Sequence, residues 1–175
     1  TPKSGDVIFA RNDYTDTFYS VVEGVVDVQI SPTDPTKTVR LAAGEFFGEM
    51  SLISARRRSA TVKAGPGCVV IETPRRSMNK LISSVADVKR VVDSTFIRRA
   101  LQAGFAPNVP AATLADVVAT ARIERSRPND YLFKQGETGL CLLLIWRGSV
   151  MVTREVGGKD VVLAYVPAGQ YVGEM

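Results

Sequence analysis

Histidine is absent from the 175 residues, and cysteine occurs only twice. The lack of histidine excludes Ser-His-Asp and Cys-His catalysis within this sequence, together with every histidine-containing metal site. The two cysteines, Cys68 and Cys141, lie far apart in apolar runs, so neither a disulfide framework nor a zinc cluster is expected. We interpret both as buried free thiols, which suits a reducing, cytoplasmic environment.

Long hydrophobic runs and a strong charge of one sign are also missing. The longest apolar run, residues 141–146, has the length of a strand and falls far short of the ~20 residues that cross a bilayer. No membrane segment is therefore expected. The net charge of +4, from 22 basic and 18 acidic residues, permits an anionic ligand but does not predict direct contact with nucleic acid.

An internal repeat organises the sequence. Residues 5–9 resemble residues 129–133, and Gly24 corresponds to Gly148, at an offset of 124 residues. After a slip of one residue, Gly48-Glu49-Met50 corresponds to Gly173-Glu174-Met175 at an offset of 125. A register that holds through strand, turn and loop indicates two copies of one module. Both copies are incomplete, so we expect the 175 residues to be a piece of a longer polypeptide.

The pattern of apolar residues predicts a mainly β chain with helices. Short β-branched and aromatic runs between turn residues predict strands at residues 7–9, 18–23, 25–30, 38–42, 60–64 and 68–73. From Ser77 to about Ala103 the apolar period changes to three and four residues, which predicts one or two helices. A short helix is expected after Thr113.

Closely spaced strands favour an antiparallel β-barrel or jelly roll in each module, joined by α-helices. We predict three parts: a first β-barrel over residues 1–76, connecting or hinge helices over residues 77–110, and the N-terminal part of a truncated second module over residues 111–175.

One segment combines residue types that suit a nucleotide. Phe47-Gly48-Glu49-Met50-Ser51-Leu52 is followed, nine residues after Glu49, by Arg58-Ser59-Ala60. Glycine lets the backbone approach a ligand closely, and arginine offers a planar fork to a phosphate. A carboxylate accepts hydrogen bonds only, so it suits a sugar hydroxyl and repels phosphate. Together these groups predict a site for a nucleoside monophosphate.

The segment resembles the phosphate-binding cassette of cyclic nucleotide-binding domains, a family that includes the catabolite activator protein and the regulatory subunits of cyclic-AMP-dependent protein kinase. The resemblance implies that Glu49 accepts from the ribose 2′-hydroxyl and that Arg58 pairs with the cyclic phosphate. Gly48 and the backbone of Met50 and Ser51 would complete the cradle. The implied ligand-binding residues are Phe47, Gly48, Glu49, Met50, Ser51, Arg58, Ser59 and Ala60. Gly173 and Glu174 are candidates for part of a second site.

The identity of the base stays open, with cyclic AMP favoured over cyclic GMP, because a serine at Ser59 is compatible with either. The residue that covers the base is also open: Trp146 is interpreted as core, and Phe105 is an equally good candidate. The loop of residues 11–16 lacks the Gly-Glu pair that the second copy carries at Gly136-Glu137.

We therefore expect a regulatory module that couples cyclic nucleotide binding to movement of the hinge helices. Its partners would be the nucleotide and an effector domain or subunit of the parent protein, and a homodimer is a further expectation. No cofactor, metal or catalytic residue is expected, so any enzymatic activity would lie outside these residues.

Two alternatives belong to other classes. One is a ligand-free, degenerate scaffold for protein–protein interaction, in which Glu49 and Arg58 form a structural pair. The other is a metal-dependent cupin-type enzyme, which the absence of histidine disfavours.

Overall fold

The computed structural model describes residues 1–34, 36–107, 109–139 and 141–173, and the chain divides into two units, Thr1–Phe96 and Ile97–Met175. The first unit contains β1 (Val7–Phe9), β2 (Thr17–Glu23), β3 (Val25–Gln29), β4 (Thr38–Ala42), β5 (Phe46–Phe47), α1 (Glu49–Ser54), β6 (Thr61–Ala64), β7 (Val69–Pro74) and α2 (Arg75–Ser84). Helix α3 (Ala86–Gly104) begins in the first unit and ends in the second. The second unit continues with α4 (Ala115–Thr120), β8 (Leu143–Leu144), β9 (Ser149–Val156), β10 (Lys159–Pro167) and β11 (Tyr171–Val172).

The strands of the first unit form two antiparallel sheets. One sheet has the order β1-β6-β3-β4 and the other has the order β5-β2-β7. Alternate residues of the strands point inward, as in Tyr19 and Val21 of β2, so each sheet presents an apolar face to the core. Both faces contribute to one core, which buries Phe9, Tyr19, Val21, Val26, Leu41, Phe47, Val62, Ala64 and Cys68. In the described residues the sheets stay open and do not close into one barrel.

A second cluster packs the helices of the first unit against β2 and α1. Met78 of α2 and Val92 of α3 are buried together with Phe18 and Leu52. Because Phe18 and Tyr19 are neighbours in a strand, they point to opposite faces of the sheet: Tyr19 to the core between the sheets and Phe18 to the helices. The cassette helix α1 and the helices that follow it therefore pack against the same face of β2.

The second unit has smaller sheets. Strands β9 and β10 form one antiparallel pair, and β8 and β11 form another. Ile145, Ala168 and Val172 are buried between them, while the end of α3 and the residues around α4 bury Leu101, Ala106 and Leu114.

Strand pairing in the two units follows one register. Tyr19 lies opposite Phe47 in the first unit, and Leu143 lies opposite Val172 in the second. These positions are related by the offsets of 124 and 125 that the sequence shows. The next hairpin behaves in the same way, since Val26 pairs with Leu41 and Val150 pairs with Val166.

The turn before β2 also repeats. The carboxylate of Asp13 accepts a hydrogen bond from the Ala10 amide at 2.7 Å, and that of Glu137 accepts one from the Lys134 amide at 2.8 Å. The preceding residues, Asn12 and Gly136, both have positive φ angles of 70° and 88°. Asn12-Asp13 therefore supplies the geometry of the Gly136-Glu137 turn with different residues.

The predicted strands of the first copy are confirmed to within one residue at each end. The helices after β7 and the short helix after Thr113 are confirmed as well, and the first of them begins at Arg75, two residues earlier than predicted. The correspondence of residues 5–9 with residues 129–133 holds at the turn, where the Asp6 and Asp130 carboxylates each accept from the amide three residues earlier at 2.8 Å, but it does not extend to a strand: residues 131–133 form none, and Tyr131, Leu132 and Phe133 are exposed. The reason is pairing, because β1 is held by β6, and no described residue of the second unit occupies the equivalent position.

The interpretation of Cys141 as buried is also wrong. Cys68 is buried, but Cys141 is exposed, and within residues 141–146 only Leu143–Leu144 forms a strand. Strand β2 is covered by partners on both sides, whereas β8 pairs with β11 alone among the described residues. The apolar composition of the run therefore did not decide its burial. No helix among the described residues is both long enough and apolar enough to cross a bilayer.

Candidate functional site

The cassette is shaped by two left-handed residues that bracket a short helix. Gly48 has φ 92° at the start of α1, and Ala55 has φ 57° at its end. Only glycine adopts such a φ without a steric cost. A Cβ atom on Gly48 would also lie 2.6 Å from Nη1 of Arg58, which is closer than real Cβ contacts. Gly48 is thus required both by the backbone turn and by the space that Arg58 occupies.

The Arg58 side chain is buried, with 2% of its surface exposed, and is held by hydrogen bonds. Nε donates to Thr15 Oγ1 at 2.6 Å, and Nη2 donates to the Thr17 carbonyl at 2.5 Å. Nη1 donates to Ser51 Oγ at 2.9 Å and to the Gly48 carbonyl at 3.3 Å. The guanidinium is therefore fixed between the loop before β2 and the first turn of α1.

The backbone and an aromatic ring hold Arg58 as well. Its amide donates to the Asp13 carbonyl, and its carbonyl accepts from the Asn12 amide, both at 2.9 Å. The guanidinium carbon lies 4.1 Å from the centroid of the Phe9 ring, a cation–π distance. These contacts place the arginine at the edge of the β core.

Acidic groups surround this buried cation. Burial lowers the pKa of the Arg58 guanidinium, and the charges of Tyr19, Glu49, Asp13 and Asp16 act in the opposite direction. Glu49 is itself 1% exposed, so a carboxylate and a guanidinium are buried in the same segment. An arginine remains protonated in such a setting, so the site keeps a cation that can bind an anion.

The predicted residues separate into those around Arg58 and those elsewhere. Gly48 and Ser51 contact the Arg58 guanidinium directly. Phe47 instead belongs to the core, stacked on Tyr19 with ring centroids 5.0 Å apart. Of the three further predicted residues, Met50 and Ala60 are half-buried, and Ser59 is exposed.

The second candidate site is described only at its first residue. Gly173 has φ 91°, like Gly48, and a Cβ atom there would lie 2.9 Å from the Cys141 carbonyl. Glu174 lies outside the described residues.

The two candidates for covering the base both lie in the second unit. Trp146 is half-buried. Phe105 is 53% exposed and meets Tyr171 edge-on, with ring centroids 5.6 Å apart. These positions do not show which of the two residues would cover the base.

Sequence reasoning missed the residues that hold Arg58 from the loop before β2, Thr15 and Thr17, and it missed Arg75. Arg75 donates to Asp16 Oδ1 at 3.0 Å and to the Leu52 carbonyl at 2.8 Å. The accepting groups at Thr17 and Leu52 are backbone carbonyls, which carry no residue-type signal. In the sequence, the loop of residues 11–16 stands out only because it lacks the Gly-Glu pair of its counterpart.

Comparisons with known proteins show which class of domain contains this site. Residues 2–85 match the family model of the cyclic nucleotide-binding domain. The chain therefore contains one cyclic nucleotide-binding domain, which includes the whole cassette and all the residues that hold Arg58. The prediction of a cyclic nucleotide-binding module is confirmed for residues 2–85.

Individual proteins are also similar to this chain. The chain is 29% identical over 181 residues to a cAMP-dependent protein kinase regulatory subunit of Yarrowia lipolytica, covering 98% of this chain and 44% of that protein. It is 34% identical over 96 residues to a cyclic nucleotide-gated potassium channel of Rhizobium etli, covering 55% of this chain and 26% of the channel. Among solved structures, the regulatory domain of Toxoplasma gondii PKA with cAMP has a TM-score of 0.47 and 22% identity, covering 99% of this chain and 66% of that one. The chain thus spans less than half the length of these two curated relatives.

Proposed function

We propose that the first unit binds a cyclic nucleoside monophosphate, with cyclic AMP favoured over cyclic GMP. The observation that carries the proposal is the pair of buried charged groups, Arg58 and Glu49, within the matched domain. Arg58 binds the cyclic phosphate, and Glu49 accepts from the ribose 2′-hydroxyl. Gly48 and the backbone of Met50 and Ser51 line the phosphate, and Ser59 and Ala60 lie beside it.

We propose further that the chain holds two tandem copies of the module, each of a barrel or jelly-roll type, divided at residues 1–76, 77–110 and 111–175. The shared register of β2–β5 with β8–β11 and of β3–β4 with β9–β10 supports this proposal. Ligand binding in the first copy biases the position of the hinge helices and so acts on an effector domain or subunit of the parent protein. In this proposal the segment regulates and does not catalyse.

Calorimetric titration of the 175-residue chain tests the ligand. We expect micromolar or tighter binding of cyclic AMP, and weaker binding of cyclic GMP. 2′-Deoxy cyclic AMP should bind about tenfold more weakly than cyclic AMP, because a buried carboxylate then loses its hydrogen-bond donor. In Glu49→Gln this difference between the two ligands should shrink, since an amide oxygen accepts a weaker hydrogen bond.

A specific observation favours the scaffold as a second candidate. The donors of Arg58 are directed at groups of its own chain, as in a purely structural arginine. In the scaffold reading neither cyclic nucleotide produces heat or raises the unfolding temperature. Binding that survives unchanged in Glu49→Gln for both ligands would contradict the role assigned to Glu49.

A further inference from the structure

Two serines of the first unit directly follow arginines. Ser59 follows the three arginines of residues 56–58, and Ser77 follows the two arginines of residues 75–76. Arginine-directed protein kinases select a serine with arginines two and three residues before it, because carboxylates in the peptide-binding groove pair with the guanidinium groups. The first segment has arginine at both of these positions, and the second has it at only one. The structure separates the two segments further.

Ser59 lies in an exposed loop between α1 and β6. Residues 55–60 form neither helix nor strand, and Arg56, Arg57 and Ser59 are all exposed. Arg58, which stands between them, is instead only 2% exposed. The kinase pattern leaves the position just before the serine open, so the burial of Arg58 does not interrupt it. The loop therefore leaves both selected arginines and the serine accessible from solvent.

The loop is attached to the loop before β2. Nη1 of Arg57 donates to the Asn12 carbonyl at 3.0 Å, and the backbone of Arg58 makes two hydrogen bonds of 2.9 Å to Asn12 and Asp13. Residues 10–16 form neither helix nor strand, so detaching the two loops from each other breaks no pairing within the core sheets. Local opening of this kind costs less free energy than unfolding of the whole unit.

Ser77 is exposed as well, but it belongs to a helix. It is the third residue of α2, and the next residue, Met78, is 4% exposed in the cluster between the helices and β2. A kinase groove holds its peptide extended, so the first turn of α2 must unfold and Met78 must leave that cluster before Ser77 reacts. The structure therefore favours Ser59 over Ser77 as a kinase acceptor.

We propose that Ser59 is a phosphorylation site for an arginine-directed protein kinase. Ser59 Oγ attacks the γ-phosphorus of ATP, the bond from that phosphorus to the β,γ-bridging oxygen breaks, and ADP leaves with the electron pair. The hydroxyl proton passes to the catalytic base of the kinase. The phosphoserine adds a charge of about −1.5 to −2 at pH 7 to a loop whose charged residues are all arginines.

The effect of this modification on ligand binding rests on the proposed function. Ser59 is the neighbour of Arg58, which binds the cyclic phosphate in that function. Two anionic phosphates at neighbouring residues repel each other, so phosphorylation lowers the affinity for a cyclic nucleotide. Salt screens repulsion between charges that are partly exposed, so the loss of affinity is larger at low ionic strength. Phosphorylation of Ser59 thus turns ligand binding down while Arg58 and Glu49 stay unchanged.

Kinase treatment of the 175-residue chain tests the modification site without a ligand. The probe is Mg-ATP with the isolated catalytic domain of cyclic-GMP-dependent protein kinase, which selects arginines at both positions. Mass spectrometry of the digested chain should show Ser59 modified at least about tenfold faster than Ser77, because Ser77 reacts only after local unfolding. Arg56→Gln and Arg57→Gln should each slow the reaction at Ser59 at least about tenfold, because each removes a charge-assisted contact with the kinase.

The matched control is Arg76→Gln, which removes an equal charge from an exposed residue of α2 and should leave the rate at Ser59 unchanged. Faster modification of Ser77 than of Ser59, no modification of Ser59, or equal rates at Ser59 in Arg57→Gln and Arg76→Gln would overturn the proposal.

Titration with cyclic AMP then tests the regulatory role separately. We expect the phosphorylated chain to bind at least about tenfold more weakly than the untreated chain at about 50 mM salt, and the difference to shrink at about 500 mM salt. Ser59→Ala is compared only with itself, and kinase treatment should not change its affinity. Equal affinity before and after phosphorylation of Ser59, or an equal loss in treated Ser59→Ala, overturns the regulatory role. If the untreated chain does not bind cyclic AMP, the proposed function fails, and the kinase reaction alone decides whether Ser59 is a phosphorylation site.

Discussion

The two units pair the equivalents of β2 to β5 in one register, yet they differ in what surrounds those pairs. In both, hairpins of neighbouring strands form with the same opposite residues. In the first unit, β6 and β7 then add to both sheets and complete a core of buried aromatic residues. The described part of the second unit has no such additional strands, and its apolar residues are more exposed. Local turns therefore set the register, and long-range pairing sets burial and places Arg58.

The largest loss of ligand affinity should come from substitution of Arg58, which lies just before β6 in the first unit. We expect Arg58→Lys to weaken cyclic nucleotide binding at least about a hundredfold, because an ammonium cannot reproduce two parallel hydrogen bonds to a phosphate. Calorimetry on the 175-residue chain measures the affinity. The control is Arg56→Lys, which changes an exposed arginine of the same loop. One-site binding of unchanged affinity in Arg58→Lys would place the ligand elsewhere in the chain.

A smaller effect is expected at the glycines that both units share. Gly48→Ala places a Cβ atom against Arg58 Nη1 and should weaken binding about tenfold by displacing the guanidinium. Gly44→Ala has a similar φ of 89° but meets nothing within 4 Å, so it should cost only about 1 kcal/mol of backbone strain. Thermal unfolding measures the cost of backbone strain in each variant, so that it can be separated from the effect of the contact with Arg58. Equal losses of affinity in both variants would show that strain, and not the contact with Arg58, is responsible.

The two cysteines allow a direct comparison of the two units, because each unit contains one. Cys68 lies in the core of the first unit, and burial raises the pKa of its thiol, while Cys141 of the second unit is exposed. Alkylation at neutral pH should therefore modify Cys141 at least about tenfold faster, because Cys68 reacts only after local opening. Mass spectrometry of the digested protein gives both rates. Comparable rates would mean that the core of the first unit opens as readily as the surface of the second.

The smallest effect concerns one register position. Asp27 and Arg40 form an ion pair across β3 and β4, where Met151 lies opposite Tyr165 in the second unit. The hydrogen bond from Arg40 lowers the pKa of Asp27 in the folded chain. This contribution to stability is therefore present above the unfolded pKa of aspartate and is lost as pH falls through the lower, folded value.

Thermal unfolding from pH 6 to pH 2 tests this pair. The unmodified chain should be slightly more stable than Asp27→Asn at pH 6, and the difference should disappear at the acid end. Exposed ion pairs contribute little, so the effect should be below that of Gly44→Ala. A difference that grows toward low pH would contradict the assigned sign.

The sequence predicted the strands of the first unit because their period and the intervening glycines are local signals. Residue type and spacing also marked Arg58 and Glu49 as candidate site residues, and both are buried in the structure. The sequence did not indicate Thr17 and Leu52, because they accept hydrogen bonds through their backbone carbonyls, which every residue has. Cys141 and residues 129–133 were misjudged for another reason. Their burial depends on which strands pair beside them, and that is decided far away in the chain.

The contacts of Arg58 also set a concentration scale. In the proposed function, a phosphate that binds this guanidinium competes with acceptors already in place, such as Thr15 Oγ1, so its affinity is the difference between two sets of hydrogen bonds. A hydrogen bond to a charged group is worth about 1.5–3 kcal/mol, and a tenfold change in affinity corresponds to about 1.4 kcal/mol. We therefore expect the exchange of one hydroxyl in this loop to shift the half-saturating ligand concentration by roughly an order of magnitude, with no residue of the cassette altered. In the proposed function, the loop before β2 thus tunes the sensitivity of the first unit to its ligand.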